Sequence, residues 1–258
     1  MKSPAIRLVF SSVALTLFLS APVFAQRPAP KPRKPPKDRG FIALNAGVQA
    51  TSGTFSDNFT YQVNAEDATV QAQYHLKTSL LIDAAVGVHV WKKIVGIAFA
   101  ATRTSGSARA AIVAQVPHPF FDNQDREVSG DGTGLERAET AIHVDGYYLK
   151  TSGKLRLMLM GGPTWFNVDQ QLVTAVSLQE TYPYDTAAFR DVTGKRVKAS
   201  AVGGNIGMDV SWMFSRSAGA GVLARYATGQ VRLNADDGHS VSTDAGGFQV
   251  GAGLRIKF

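Results

Sequence analysis

Hydrophobic and polar positions alternate through much of this chain, most completely from Gly247 to Phe258. Phe248, Val250, Ala252, Leu254, Ile256 and Phe258 share one parity; Gly247, Gln249, Gly251, Gly253, Arg255 and Lys257 share the other. Successive side chains of a strand point to opposite faces, so the run predicts a strand with one apolar and one small or charged face. Seven further segments alternate: Phe41–Thr51, Leu80–Trp91, Val95–Thr104, Glu139–Lys150, Leu155–Val168, Lys198–Phe214 and Ala218–Leu233, with Val241–Phe258 as the eighth. Trp91-Lys92-Lys93-Ile94, Thr151-Ser152-Gly153-Lys154 and Ser215-Arg216-Ser217 read as tight turns. The intervening connections are long, at Ser52–Ser79, Ser105–Ala138 and Asp169–Val197; Asn234–Ser240 is shorter.

Short turns on one side and longer loops on the other are the asymmetry of a membrane β-barrel, where only alternate residues need face lipid. A soluble sandwich has no reason for it. Asn58–Asn64 and Thr69–Leu76 alternate around Asn64-Ala65-Glu66-Asp67, so the first loop reads as a hairpin extending the wall, and Ala108–Val116 reads similarly. Ten strands are therefore the alternative count, with eight in the membrane. Trp91, Tyr147, Tyr148, Trp165, Trp212, Phe214 and Phe258 lie near predicted strand ends, as an interfacial girdle requires.

The N-terminus supplies context. Lys2 and Arg7 precede the apolar stretch from Leu8 to Leu19, and Val23 and Ala25 mark a small-residue exit. This predicts a cleaved signal peptide over residues 1–25. Residues 26–40 form a linker rich in Pro, Lys and Arg, extended and unable to pack a core. It reads as a solvated tether, with contact to an anionic cell-wall polymer as the alternative. The chain holds 27 basic and 20 acidic residues; signal and linker take eight basic and one acidic, leaving residues 41–258 neutral. Nucleic-acid binding loses its support, since it needs a basic face on the folded domain. No cysteine is present, which removes disulfides, thiolate catalysis and Cys-ligated metals.

With Phe258 closing an alternating strand behind an exported N-terminus, the chain resembles small bacterial outer-membrane β-barrel proteins of the OmpA and OmpX type. The resemblance implies an all-β fold: an eight-stranded antiparallel up-and-down transmembrane barrel over residues 41–258, with short periplasmic turns and long extracellular loops. It implies a monomer in outer-membrane lipid and lipopolysaccharide, with Phe258 as the signal read by the barrel-assembly machinery. A soluble lipocalin-like barrel is the competing fold, and it predicts a polar exterior where this chain places Leu, Ile and Val.

The inward parity carries Asp83, His89, His143, Asp145, Arg156, Asn205, Asp209, Arg225, Gln249, Arg255 and Lys257. An eight-stranded barrel is just wide enough for side chains to fill, so these read as a paired plug rather than a pore. His143 and Asp145 share a face and invite a general-base reading, but no nucleophile motif accompanies them. Asp131-Gly132-Thr133-Gly134 reads as a flexible loop, and the five histidines lack metal-ligand spacing. No cofactor is expected. Phe120, Phe121, Tyr182 and Tyr184 lie in the long loops as contact anchors or as a cap. The expectation is a non-enzymatic surface protein acting through its loops; a narrow solute channel and a lipid-modifying enzyme are the alternatives.

Overall fold

The computed structural model describes residues 38–51, 53–235 and 240–258. The expected signal peptide, all but the last three linker residues, and His239 lie outside the described residues. Ten strands form: β1 (Gly40–Ala50), β2 (Thr54–Val63), β3 (Glu66–Leu76), β4 (Ser79–Trp91), β5 (Val95–Pro117), β6 (Asp125–Ser152), β7 (Leu155–Glu180), β8 (Ala187–Met213), β9 (Ala218–Asn234) and β10 (Ser240–Lys257). Eight close a ring in the order β1-β4-β5-β6-β7-β8-β9-β10, every pair antiparallel. The first and last strands seal it in unbroken register from Phe41 opposite Lys257 to Ala50 opposite Phe248. Phe258 fastens the seam: its N–H donates to the Gly40 carbonyl (3.1 Å), and its carbonyl accepts from Arg39 and Gly40.

The long connections are mostly wall rather than loop. The β2–β3 hairpin rides on the ring, with β3 pairing the outer half of β5 from Ala108 to Gln115 while β4 pairs the inner half. Strand β6 runs for 28 residues, nearly three times the roughly 9–11 a tilted membrane strand needs. Asp131–Gly134, expected as a flexible loop, lies inside β6 at a register shift against β5, where Gly134 takes φ +76°. A bulge there moves the inward parity from even to odd positions.

Beyond the turn-end half the ring stops closing. Pairing ends at Arg137–Gln170 between β6 and β7, at Gly204–Thr228 between β8 and β9, and at Ala50–Phe248 between β1 and β10. The wall continues as three separate sheets, β2-β3-β5-β6, β7-β8 and β9-β10, facing one another across an apolar core. Phe55, Tyr74, Ile112, Phe166, Leu172 and Leu233 are buried in it.

The two halves therefore have opposite polarity. In the turn-end half Ile82, Ile97, Phe99, Ile142, Ile206 and Leu254 face outward and exposed, while charges point inward. In the loop-end half Val70, Ala110, Ile112, Val128 and Val231 point inward, and Gln71, Arg109, Glu127, Ser129 and Arg232 stand outside. Apolar surface is stable outside only where the surroundings are themselves apolar. The polarity of the two faces thus exchanges along one strand.

Trp91, Tyr148, Trp212 and Phe214 are exposed at the turn end of this belt and Trp165, Tyr226 and Phe248 at its other margin. Trp165 is thus in mid-strand rather than at a strand end. Tyr147, expected in the girdle, points inward with 3 % of its surface exposed, edge-on to Phe41. Its even-numbered neighbour Tyr148 holds the outward place, as alternation demands.

Candidate functional site

The turn-end lumen gathers the expected inward residues. Arg225 from β9 reaches across to Asp83 on β4, Nη1 to Oδ1 3.2 Å, and donates to the Thr102 hydroxyl at 3.2 Å. Arg255 on β10 binds Asp209 on β8 through Nε, 3.2 Å and 3.0 Å to the two carboxylate oxygens, and through Nη2. Asn205 donates to Asp145 Oδ1 at 2.8 Å, to Thr164 at 2.9 Å and to the Gly162 carbonyl at 3.1 Å. Gln249 donates to Gln49 at 2.7 Å across the seam strands. At the turn end His89 meets Asp38 at 3.3 Å and the Tyr147 hydroxyl at 2.9 Å, and Lys257 lies 3.7 Å from Asp38. Asp38, assigned from sequence to a solvated linker, therefore sits at the barrel mouth.

These charges are nearly all buried, Arg225 at 2 %, Asp83 at 1 % and Asp145 at 1 % exposure. A buried charge persists only when paired and hydrogen-bonded, and Arg225 with Asp83 and Arg255 with Asp209 form two such pairs. Arg156 is buried near them. Phe41, Tyr147, Leu149, Met158 and Met160 pack among them, and the cavity lined by Phe41, Asn45, Asp83, Asp145, Met160 and Arg225 has a volume of only about 10 Å³.

His143 is fully buried, and its two ring nitrogens lie 2.8 Å from the Thr164 hydroxyl and 3.1 Å from that of Thr102. Both proton-transfer positions are therefore occupied by threonines. No serine is among its partners.

Sequence reasoning missed a second polar layer, between the lower network and the upper core. Arg137 donates to Gln170 Oε1 (3.2 Å) and the Asp244 carbonyl (2.7 Å), and Glu139 Oε1 accepts from the Gly246 N–H at 2.9 Å. Gly246 has φ +89°, which turns its peptide from the ladder into the lumen, where its carbonyl also accepts from Gln49 at 3.0 Å. From sequence Arg137 falls in the connection Ser105–Ala138, where no strand parity can be assigned.

At the loop end the tips of the β5–β6 and β7–β8 hairpins lock together. Arg126, buried, forms an ion pair with Glu180 at 2.5 Å and donates to the carbonyls of Tyr184 (2.9 Å) and Pro117 (2.8 Å). Phe120 meets Tyr184 edge-on at 5.4 Å, Tyr184 meets Tyr182 at 6.1 Å, and Phe121 lies 4.8 Å from the buried His118 ring. Phe120, Phe121 and Tyr182 nevertheless stay exposed, at 67, 54 and 80 %. The rings pack against one another as a cap would while three of them keep an exposed face. Arg126 and His118 were not anticipated, because a lone charge in a loop carries no pattern. Among the described residues no cluster of His, Cys, Asp and Glu is arranged to hold a metal.

By sequence, no protein-family profile and no curated protein matches the chain. Among solved structures it resembles the outer-membrane protein OprG of Pseudomonas aeruginosa, with TM-score 0.44 and 10 % identity over 85 % of this chain and 96 % of that one. Neisserial surface protein A aligns with TM-score 0.42 and 11 % identity, covering 85 % and 97 %. The outer-membrane protease OmpT of Escherichia coli aligns with TM-score 0.43 and 12 % identity, covering 86 % and 97 %. The chain is similar to small bacterial outer-membrane β-barrel proteins.

Proposed function

We propose that this protein spans the bacterial outer membrane with its turn-end half and presents its loop-end half at the cell surface as a contact module. The observation that carries the reading is the inversion of polarity between the halves. A protein whose work lay in the membrane would have no use for a second, apolar-cored body of comparable length beyond it. That body sets three exposed aromatic rings on a braced tip, and exposed aromatics on a rigid support are the usual anchors of a binding surface. Short turns then face the periplasm, with Phe258 as the assembly signal.

The two alternatives find less support. A solute channel needs a continuous polar path, whereas paired charges and apolar side chains fill the lumen in successive layers. A lipid-modifying enzyme acting through His143 and Asp145 needs them near a substrate, and both are sealed inside the wall.

Two assays test this. In planar bilayers the refolded protein gives no unit conductance steps; porin-like steps would overturn the plug. Cells displaying the protein partition into hexadecane more than cells displaying Phe120→Ser/Phe121→Ser/Tyr182→Ser. Equal partitioning would remove the aromatic tip from the contact role.

A further inference from the structure

Two hollows on the outer wall of the turn-end half meet at Tyr148. The first, about 540 Å³, has the cross-strand pair Gly146 and Gly161 as its floor, with Val95, Tyr148, Leu159 and Ile206 around it. In the same row the adjoining strands present Ile97 and Ile206, so two missing side chains interrupt an otherwise continuous apolar belt. A Cβ on Gly146 would meet nothing closer than the Gly161 carbonyl oxygen at 4.0 Å. The second hollow, about 440 Å³, lies at the turn end and is lined by Asp38, Lys92, Lys93, Ile94, Tyr148 and Lys150.

Three of the four charged side chains lining the second hollow are positive. Asp38 is engaged by His89 and Lys257, and among the described residues the three lysines have no carboxylate partner. Lys92 lies over the Trp91 ring, 4.9 Å from its centroid. Lys150, Tyr148 and Gly146 follow one another on the outward face of β6, so the cationic notch and the glycine floor lie roughly 13 Å apart along the strand. A cationic notch at the edge of an apolar belt, opening onto a groove in that belt, has the polarity of one phospholipid molecule.

We propose that this surface binds an anionic phospholipid of the turn-end leaflet, its phosphate among Lys92, Lys93 and Lys150 and an acyl chain over Gly146 and Gly161. The proposal rests on the membrane-spanning reading above. Lysine ammonium groups hold phosphate as point charges, and cations at a membrane surface favour anionic headgroups. The Tyr148 ring sits at the headgroup level, where such rings are stable. The groove gives an acyl chain contact on three sides in place of one. A second copy of the chain fits less well, because seating it across the groove would bring two lysine trios together.

The test is native mass spectrometry of the full-length protein, refolded in detergent, with equal amounts of phosphatidylglycerol and phosphatidylcholine. Wild type retains phosphatidylglycerol in preference by about tenfold. Lys92→Asn/Lys93→Asn/Lys150→Gln loses that preference; asparagine keeps the left-handed backbone at the first two positions, φ 46° and 58°. Gly146→Leu, whose Cβ meets no heavy atom closer than 4.0 Å, fills the hollow and lowers retention of both lipids. Lys154→Gln/Arg216→Gln changes nothing. Equal retention of the two lipids by wild type, or an unchanged preference in the triple variant, overturns the site. Each protein is first checked for faster gel migration unheated than heated; a wild type without that shift overturns the membrane reading itself, and the site with it.

Discussion

Arg225 and Asp83 meet 3.2 Å apart inside the barrel, 142 residues apart in sequence and on strands separated in the ring by β1 and β10. Their contact spans the lumen, so it depends on a closed ring and helps to fill its centre. Removing one partner leaves the other charge buried alone, at a cost of about 3–5 kcal/mol. Arg225→Ala should therefore lower the urea midpoint of the barrel refolded in lipid vesicles, and Asp83→Asn/Arg225→Met should recover most of the loss. If the double variant were as unstable as the single, the pair would not be the reason.

The seam offers a steric test. A side chain on Gly253 would collide with the Leu44 carbonyl of β1, where Asn45 stands directly opposite. Gly253→Val should weaken β1–β10 pairing, beyond the 1–3 kcal/mol typical of overpacking, since backbone cannot move aside (roughly 3 kcal/mol or more). Loss of the compact unheated gel form is the expected result; a normal heat shift would mean that the seam tolerates what the register forbids. Gly146→Leu, facing outward, should keep the form intact.

In the loop-end core, the Tyr74 hydroxyl accepts the Val173 N–H at 2.7 Å beneath the stacked Phe55 ring. Burial pushes its pKa up from the ordinary value of 10.0, with the Asp57 charge adding to the rise. A group kept neutral in the fold but free to ionise when unfolded contributes stability fully below the unfolded pKa. That stability is lost as pH rises from about 10 toward the folded value. The loop-end half should therefore loosen selectively above pH 10, read as proteolysis of the loop-end sheets with the turn-end half protected. Tyr74→Phe should abolish that alkaline slope while leaving Val173 unpaired, a cost of about 1–3 kcal/mol at neutral pH. The same slope in Tyr74→Phe would assign it elsewhere, Tyr61 being the next group raised by burial.

Arg126 braces both hairpin tips through three carboxylate or carbonyl partners. Arg126→Ala should free the tips without affecting the membrane half, at a local cost of about 3 kcal/mol. Rapid chymotrypsin cleavage after Phe120, Phe121 or Tyr184, with an unchanged heat shift, is the expected pattern. Unchanged resistance would mean that the ring contacts of Phe120, Tyr182 and Tyr184 suffice.

Sequence showed the ring well because alternation and short turns are local. Asp83, His143, Asp145, Asp209, Arg225 and Arg255 all point where parity puts them. The loop-end half was only partly legible. Ala108, Ala110, Ile112, Ala114 and Val116 alternate as a lipid-facing row would, and sequence alone does not say on which side of the wall they lie. The bulge at Gly134 then breaks the frame, hiding Arg137 as a core residue. Gly246 looks like an ordinary strand residue in sequence, because nothing in Ala245-Gly246-Gly247 tells that its peptide turns to Glu139. Where sheets separate, as above Gly204–Thr228, the cause is packing of distant faces: Phe189 of β8 lies against Gly130 of β6.

The central claim is that one strand crosses from lipid into water with its faces exchanging roles, and β8 carries it most fully. The chain has no cysteine, so single substitutions at Arg190, Arg196, Ser200, Val202, Ile206 and Val210 can each carry one spin label in protein refolded into vesicles. Accessibility to oxygen against a water-soluble nickel complex then reads the surroundings of each label. The account predicts lipid at Val202, Ile206 and Val210 and water at Arg190, Arg196 and Ser200, with the change between Ser200 and Val202. Water at all six positions would contradict it and place the whole barrel in solution.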